Sequence, residues 1–247
     1  MFQHLLFRHE QYVPQLLEKL ENTQEQTIEK VAEVCADCIY NGGLLYFFGT
    51  GHSHMICEEP FYRAGGLASI YPILESDLML HEGASKSSGY ERLEGLGNLV
   101  IANTGLGKGD VLFIASNSGR NCAVIDAALE AKQRGAITVA ITSMNHTTQV
   151  TSRHSSGLNL YQVCDYVLDN CGEVGDASVE LPGMGQKIAP TSSVIDVTLV
   201  NLILVNTVEL LLQRGIRPPV FMSANTDAGD EANKAVLKQY KGKIPSL

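Results

Sequence analysis

Residues 110–121 read DVLFIASNSGRN, an apolar run that stops abruptly in two serines, two asparagines and a glycine. A short, continuously apolar strand of this kind is buried on both faces, which requires a sheet with helices above and below it. The next stretch, NCAVIDAALEAKQRG, repeats apolar residues at helical spacing. Asn121 stands at its N-cap position and Gly135 is its stop. The same succession recurs along the chain. LLYFF (44–48) runs into GTGHS, and LASIYPIL (67–74), AITVAIT (136–142) and CDYVLDN (164–170) read as further strands. Helices are expected over 1–41 with a break near Pro14, and over 53–64, 89–103, 121–134 and 192–212. Residues 77–88 are polar and irregular, residues 171–190 are rich in glycine and polar side chains, and both are expected to be loops. The tail begins at Pro218–Pro219, passes through SANTDAGDEAN and ends in a short helix over 230–240. Strands alternating with helices predict an α/β protein with a parallel sheet covered on both faces.

The 247 residues suffice for one large domain with its own core, and a net charge of −9 excludes a nucleic-acid backbone as the expected partner. Small anions remain open, because backbone N–H groups can hold them without net positive charge. His4, Arg8, His9 and Glu10 interrupt the apolar pattern of the first twenty residues, so no secretory signal is expected. The longest apolar stretch, VIDVTLVNLILVNTVELLLQ, contains Asp196, Asn201, Asn206 and Glu209. It reads as a buried helix, with no membrane partner. Six cysteines without a signal suggest reduced thiols and a cytoplasmic protein. Cys35 and Cys38 form a C-x-x-C but share a helical face with Val31 and Val34, which makes them buried apolar residues.

Two strand-to-helix turns are decorated, GTGHS and SNSGRN, and TSS (191–193) opens a third helix. Helix N-termini offer free N–H groups and the positive end of a dipole, serines add donors, and glycines admit close approach. Together they suit a phosphate. A dinucleotide is the competing reading, since GTGHSH holds the first two glycines of G-x-G-x-x-G and Glu75 ends the second strand. His54 stands at the third glycine position, and the fingerprint leaves SNSGRN and TSS unexplained, so no cofactor is expected.

FFGTGHS, ASNSGRN and APTSS, in this order and at these junctions, resemble the sugar isomerase (SIS) domain of phosphosugar isomerases and phosphosugar-binding regulators. The resemblance covers about residues 30–213, and HEGA (81–84) with SANTDAGDEAN is similar to a bacterial branch labelled phosphoheptose isomerase-like. It implies a flavodoxin-like three-layer α/β/α sandwich around a five-stranded parallel sheet. The expected organisation is an N-terminal helical segment (1–30), the SIS domain (31–214) and a C-terminal extension (215–247). The implied phosphosugar binders are Gly51, Ser53, Ser116, Asn117, Ser118, Gly119, Asn121, Thr191, Ser192 and Ser193. The family's S-x-S-G-x-T ends in threonine, and here Asn121 takes that place, an amide that still donates. Phosphoheptose isomerases carry a metal-binding His and Glu four apart after the first glycine loop. The corresponding residues are Glu59 and Arg63, and a guanidinium has no lone pair to give. His52, His54 and Cys57 make a poor replacement, because i, i+2 spacing splits the histidines between helix faces. No metal is expected.

Aldose–ketose isomerisation needs a base to move a proton between adjacent carbons. The candidates are Glu59, Glu173 and Glu82 with His81. Glu173, in CGEVGD, is placed like the base of the isomerase half of glucosamine-6-phosphate synthase. Glu82, in His81–Glu82–Gly83–Ala84, is placed like the catalytic glutamate of the N-acetylmuramic acid 6-phosphate etherases, another branch of the family. The expected function is thus a sugar-phosphate or amino-sugar-phosphate isomerase. A non-catalytic phosphosugar sensor, or a lyase or etherase, is the alternative. The apolar surface of 1–41 and 192–212 exceeds what one side of such a sheet needs, which implies a homodimer or homotetramer.

Overall fold

Side chains of the two central strands, 45–49 and 111–115, alternate in direction, and both directions are buried. This computed structural model describes the backbone of residues 2–247 and the side chains of residues 13–247 other than that of Asp227. In chain order the first elements are α1 (Phe2–Tyr40), β1 (Leu45–Gly49), a 3-10 turn over Gly51–His54, α2 (Met55–Glu58), β2 (Ile70–Pro72), α3 (Ala84–Tyr90) and α4 (Leu96–Ala102). There follow β3 (Val111–Ala115), α5 (Cys122–Gln133), β4 (Ile137–Thr142), α6 (Met144–Thr147), α7 (Leu160–Val163) and β5 (Tyr166–Asp169). The chain closes with β6 (Ala177–Val179), β7 (Ile188–Pro190), α8 (Ser192–Gln213) and α9 (Asp227–Tyr240).

Five strands form one all-parallel sheet in the order β2-β1-β3-β4-β5. Leu45, Phe47, Val111, Phe113, Val139 and Ile141 point to one face, where α1 and α8 cover them. Tyr46, Phe48, Leu112, Ile114 and Ala140 point to the other, beneath α4, α5 and α9. Phe47 and Phe113 stack across the β1–β3 pair with ring centroids 4.7 Å apart. Leu16, Leu20 and Ile28 of the N-terminal segment share the first core with Ile195, Leu199 and Ile203. Phe221, Tyr240 and Ile244 of the tail share the second with Leu112 and Ile114. Helix α8 is long and apolar enough to cross a membrane. Here Ile195, Leu199, Ile203 and Leu211 pack into the core, while Val194, Leu202, Val205 and Leu212 face outward.

Several boundaries differ from the sequence reading. Helix α1 does not break at Pro14; proline removes one N–H, and the rest of the helix is held by its packing against α8. The helix expected over 53–64 stops at Glu58, before Pro60, and that over 89–103 is confined to Leu96–Ala102 after Gly95 at φ 88°. Only 70–72 of the expected strand 67–74 pairs in the sheet, because Leu67 bridges the tail at Val220 instead. The expected loop 77–88 contains most of α3, and the expected loop 171–190 contains an antiparallel hairpin of β6 and β7. In both, packing and pairing organise residues whose local propensities are weak. Helix α9 begins at Asp227, where Thr226 caps it by accepting from the Gly229 N–H. Cys35 and Cys38 are buried as expected, and burial pushes the Cys38 thiol up to about 12. All six cysteines are unpaired.

Candidate functional site

Strand β1 lies between β2 and β3, so the chain winds outward in opposite directions from the β1–β3 pair. Ligands of doubly wound sheets bind beyond the carboxyl ends of the strands at this reversal. Register keeps those ends level, with Gly49 opposite Ala115, Ala115 opposite Ile141, and Thr142 opposite Asp169. The GTGHS and SNSGRN loops therefore leave the sheet side by side on one rim. Gly49 is required there, because a Cβ would lie 2.4 Å from the Ser53 carbonyl oxygen of the turn that follows. Gly119 turns the second loop at φ +60°, and a Cβ would lie 2.8 Å from Thr147 Oγ1.

The SNSGRN loop is braced from several sides. The Gly119 N–H donates to Ser116 Oγ at 3.1 Å, and the Ser143 N–H donates to the Asn117 carbonyl at 3.2 Å. Asn121 is the N-cap residue of α5 as expected, but its side chain does not cap; its Oδ1 accepts from Arg153 at 2.6 Å. Arg153 in turn sits near Arg120 and Arg92. Desolvation and these two guanidiniums pull its pKa down from the ordinary value, with Glu91 opposing. Thr50, which opens the first loop, donates to Glu91 at 2.8 Å.

A buried polar network joins this loop to α8. Asn170, at the end of β5, donates to Asn117 Oδ1 at 3.0 Å and to Asp196 Oδ1 at 2.8 Å. Its own Oδ1 accepts from the Gly172 N–H at 3.0 Å. Asp196 is 2% exposed, and burial pushes its carboxyl up to about 7. Four polar atoms around the rim are buried without a hydrogen-bond partner: Asn117 Nδ2, Arg120 Nε, His146 Nδ1 and Thr191 Oγ1. Burial lowers the His146 pKa from its ordinary value, with Asp176 opposing and Arg120 adding to the shift.

The first residues of α8 are already engaged. Asp176 Oδ1 accepts from the N–H groups of Thr191 at 3.1 Å and Ser192 at 2.8 Å, and Oδ2 accepts from the Ser192 hydroxyl at 2.7 Å. Arg92, Arg120, His146, Arg153, Asn170, Asp176 and Asp196 escaped the sequence reading. Only His146 had a usable signal, its place four residues beyond strand AITVAIT. Arg120 lies within SNSGRN itself, and the rest are drawn in from remote segments by packing.

The candidate acids occupy three different settings. Glu82 lies one residue before the Gly83 N-cap of α3, 48% exposed, with His81 Nε2 4.0 Å from its Oε1. Its turn flanks the first loop, since Leu80 Cδ2 is 3.9 Å from where a Cβ on Gly51 would be. Glu173 is paired with Lys187 across the β6–β7 segment. Glu59 is paired with Arg63 and borders a cavity of about 310 Å³ lined by Asn201, Leu204 and Val205. Asn201 is nine residues along α8 from Ser192, roughly 14 Å along its axis. His54 bonds Glu58 at 3.1 Å, and among the described residues no cluster of three His, Cys, Asp or Glu side chains can hold a metal ion.

These features define a doubly wound α/β protein with polar loops at its switch point. The chain belongs to the SIS domain family, whose model matches residues 8–143. It is 44% identical over 225 residues to a UPF0309 protein of Halalkalibacterium halodurans, covering 91% of this chain and 93% of that one. A UPF0309 protein of Geobacillus thermodenitrificans is 41% identical over 241 residues, covering 96% and 97%. The fold is similar to that of phosphoheptose isomerase from Neisseria gonorrhoeae, with TM-score 0.57 and 17% identity over 84% of this chain and 97% of that one.

Asp196 gives the network a pH signature. Its folded pKa is raised to about 7, whereas an unfolded aspartate releases its proton near pH 4. The folded state therefore binds more protons between these values, and stability falls as pH rises from about 4 to about 7, then levels off. Asp196→Asn keeps an acceptor for Asn170 and removes the titration. Urea unfolding should show the variant gaining on the wild type by about 2–3 kcal/mol between pH 5 and pH 8. A difference that is the same at both pH values would exclude the effect.

Proposed function

We propose that the chain binds a phosphorylated sugar in the crevice between GTGHS and SNSGRN and interconverts its aldose and ketose forms. The observation that carries this reading is the meeting of positive charge and unpaired polar groups at the β1–β3 switch point. Arg92, Arg120 and Arg153 crowd one another there, and Asn117 Nδ2 and Arg120 Nε lack partners. A phosphate dianion relieves that repulsion and satisfies those donors. Gly51, Ser53, Ser116, Asn117, Ser118 and Gly119 line its place, with Thr191, Ser192 and Ser193 across the crevice. Membership of a family that includes phosphosugar isomerases and phosphosugar-binding regulators supports the substrate class.

In the isomerisation, the Glu82 carboxylate removes the proton from the carbon next to the carbonyl and returns it to the former carbonyl carbon. The intermediate is an enediol, and His81 or His146 carries the proton exchanged between the two oxygens. Glu82 is preferred because its turn flanks Gly51, whereas Glu59 and Glu173 are engaged by Arg63 and Lys187. The same two ion pairs favour a second reading, a sensor that binds the phosphosugar without turning it over.

A thermal-shift screen of hexose, hexosamine and heptose phosphates tests the binding. A ligand at a hundred times its Kd adds about 2.7 kcal/mol, which raises Tm by about 5–10 °C for a chain of this length. Equal shifts from the unphosphorylated sugars would refute the phosphate site. Proton exchange of the bound sugar into deuterated water separates isomerase from sensor, since only the enzyme washes the proton out.

Replacing Glu82 by Gln preserves size and hydrogen bonding but removes proton transfer. Turnover should fall by about a hundredfold or more while the ligand-induced thermal shift persists. Full activity in that variant transfers the role to Glu173, then Glu59.

The outward face of α8 supports assembly. Val194, Leu202, Val205 and Leu212 are 49%, 41%, 66% and 58% exposed on the outward face of α8. The expected state is a homodimer or homotetramer, measured by light scattering at micromolar protein. A monomer at every concentration is the contrary result.

A further inference from the structure

The N-terminus of α8 presents two backbone N–H groups, a serine hydroxyl and the positive end of a 22-residue helix dipole, all to one carboxylate. That carboxylate belongs to Asp176, which the backbone holds at φ +69°, in the left-handed region that non-glycine residues rarely adopt. Cys171 at +58° and Ala189 at +61° flank it. Three of the four such residues among those described thus lie in the segment 171–190. Asp176 does not complete the site it occupies. Thr191, 1% exposed, keeps its hydroxyl buried at the same helix end with no partner. A permanent cap has no need of an additional buried and unpaired hydroxyl, whereas a phosphate offers three acceptor oxygens to the same set of donors.

We infer that Asp176 is an internal stand-in for the ligand's anionic group, holding the hairpin 171–190 over the crevice until a phosphorylated sugar displaces it. This rests on the phosphosugar reading and deepens it. The ligand's oxygens take over the N–H groups of Thr191 and Ser192 and engage Thr191 Oγ1. Asp176 then swings away with its hairpin and leaves its left-handed conformation. The same segment carries Glu173 and its partner Lys187, so displacement also moves that ion pair. Asp176 acts as a selectivity element too. A neutral sugar cannot compete with a carboxylate for a helix N-terminus, and a doubly charged phosphate can.

The test is titration calorimetry of inorganic phosphate and of fructose 6-phosphate into the wild type, Asp176→Asn and Asp176→Ala. Removing the internal competitor should tighten both ligands on the order of tenfold. On the wild type alone, hydrogen exchange of the hairpin amides around Val179 and Ile188 should speed up when fructose 6-phosphate is added. Binding by the wild type with equal or weaker binding by the variants overturns the stand-in role and leaves the phosphosugar reading intact. Unchanged or slower hairpin exchange on a ligand-saturated wild type overturns it as well, even where a variant fails to fold. No binding by wild type or by folded variants overturns the phosphosugar reading and this inference together.

Discussion

The in-register parallel pairing of β1 with β3 is the constraint from which the site follows. Each strand is five residues long and buried throughout, so a slip of one residue would turn Phe47 or Phe113 to the wrong face. The side-chain alternation therefore fixes Gly49 opposite Ala115. Once that holds, the loops after the two strands must leave the sheet at the same level. Asp110 reinforces the register at the opposite end, where its Oδ1 accepts from the Leu44 N–H at 2.9 Å and its Oδ2 from the Gly107 N–H at 3.0 Å.

Above that frame lies a network of polar side chains whose hydrogen-bonding atoms are largely buried. Asn170 satisfies Asn117 and Asp196 at once, so β3, β5 and α8 are tied together by a single amide. Such a network is costly if any member is unsatisfied, and it rigidifies the structure when complete. Here it is incomplete in one direction, since Asn117 Nδ2 and Thr191 Oγ1 remain unpaired. Orphaned groups are gathered beyond the strand ends, beside mutually repelling arginines.

Much of this was legible in the chain. DVLFIAS, LLYFF and AITVAIT are too short and too uniformly apolar to be anything but strands buried on both sides, and the succession with helices fixes the α/β class. GTGHS, SNSGRN and TSS were legible because small polar residues and glycines directly after a strand have a local, steric reason to be there. The boundaries of α3 and of the β6–β7 hairpin were not. ASKSSGY carries little helical propensity, and the hairpin forms in a segment with Asp176 and Ala189 at positive φ. Tertiary contacts alone compensate for both. The continuation of α1 through Pro14 has the same origin, since packing against α8 outweighs one missing hydrogen bond.

By itself, the sequence determined the sheet, its two faces and the identity of the loops at its rim, because these depend on periodicity and on residues adjacent in the chain. Only the tertiary structure decided what surrounds those loops. Arg92, Arg153, Asn170 and Asp196 come from segments up to about a hundred residues apart in the sequence. No local pattern announces that a carboxylate from position 176 will close on the helix beginning at 192. That contact depends on the path of a loop, and loop paths are set by the packing of the elements they join.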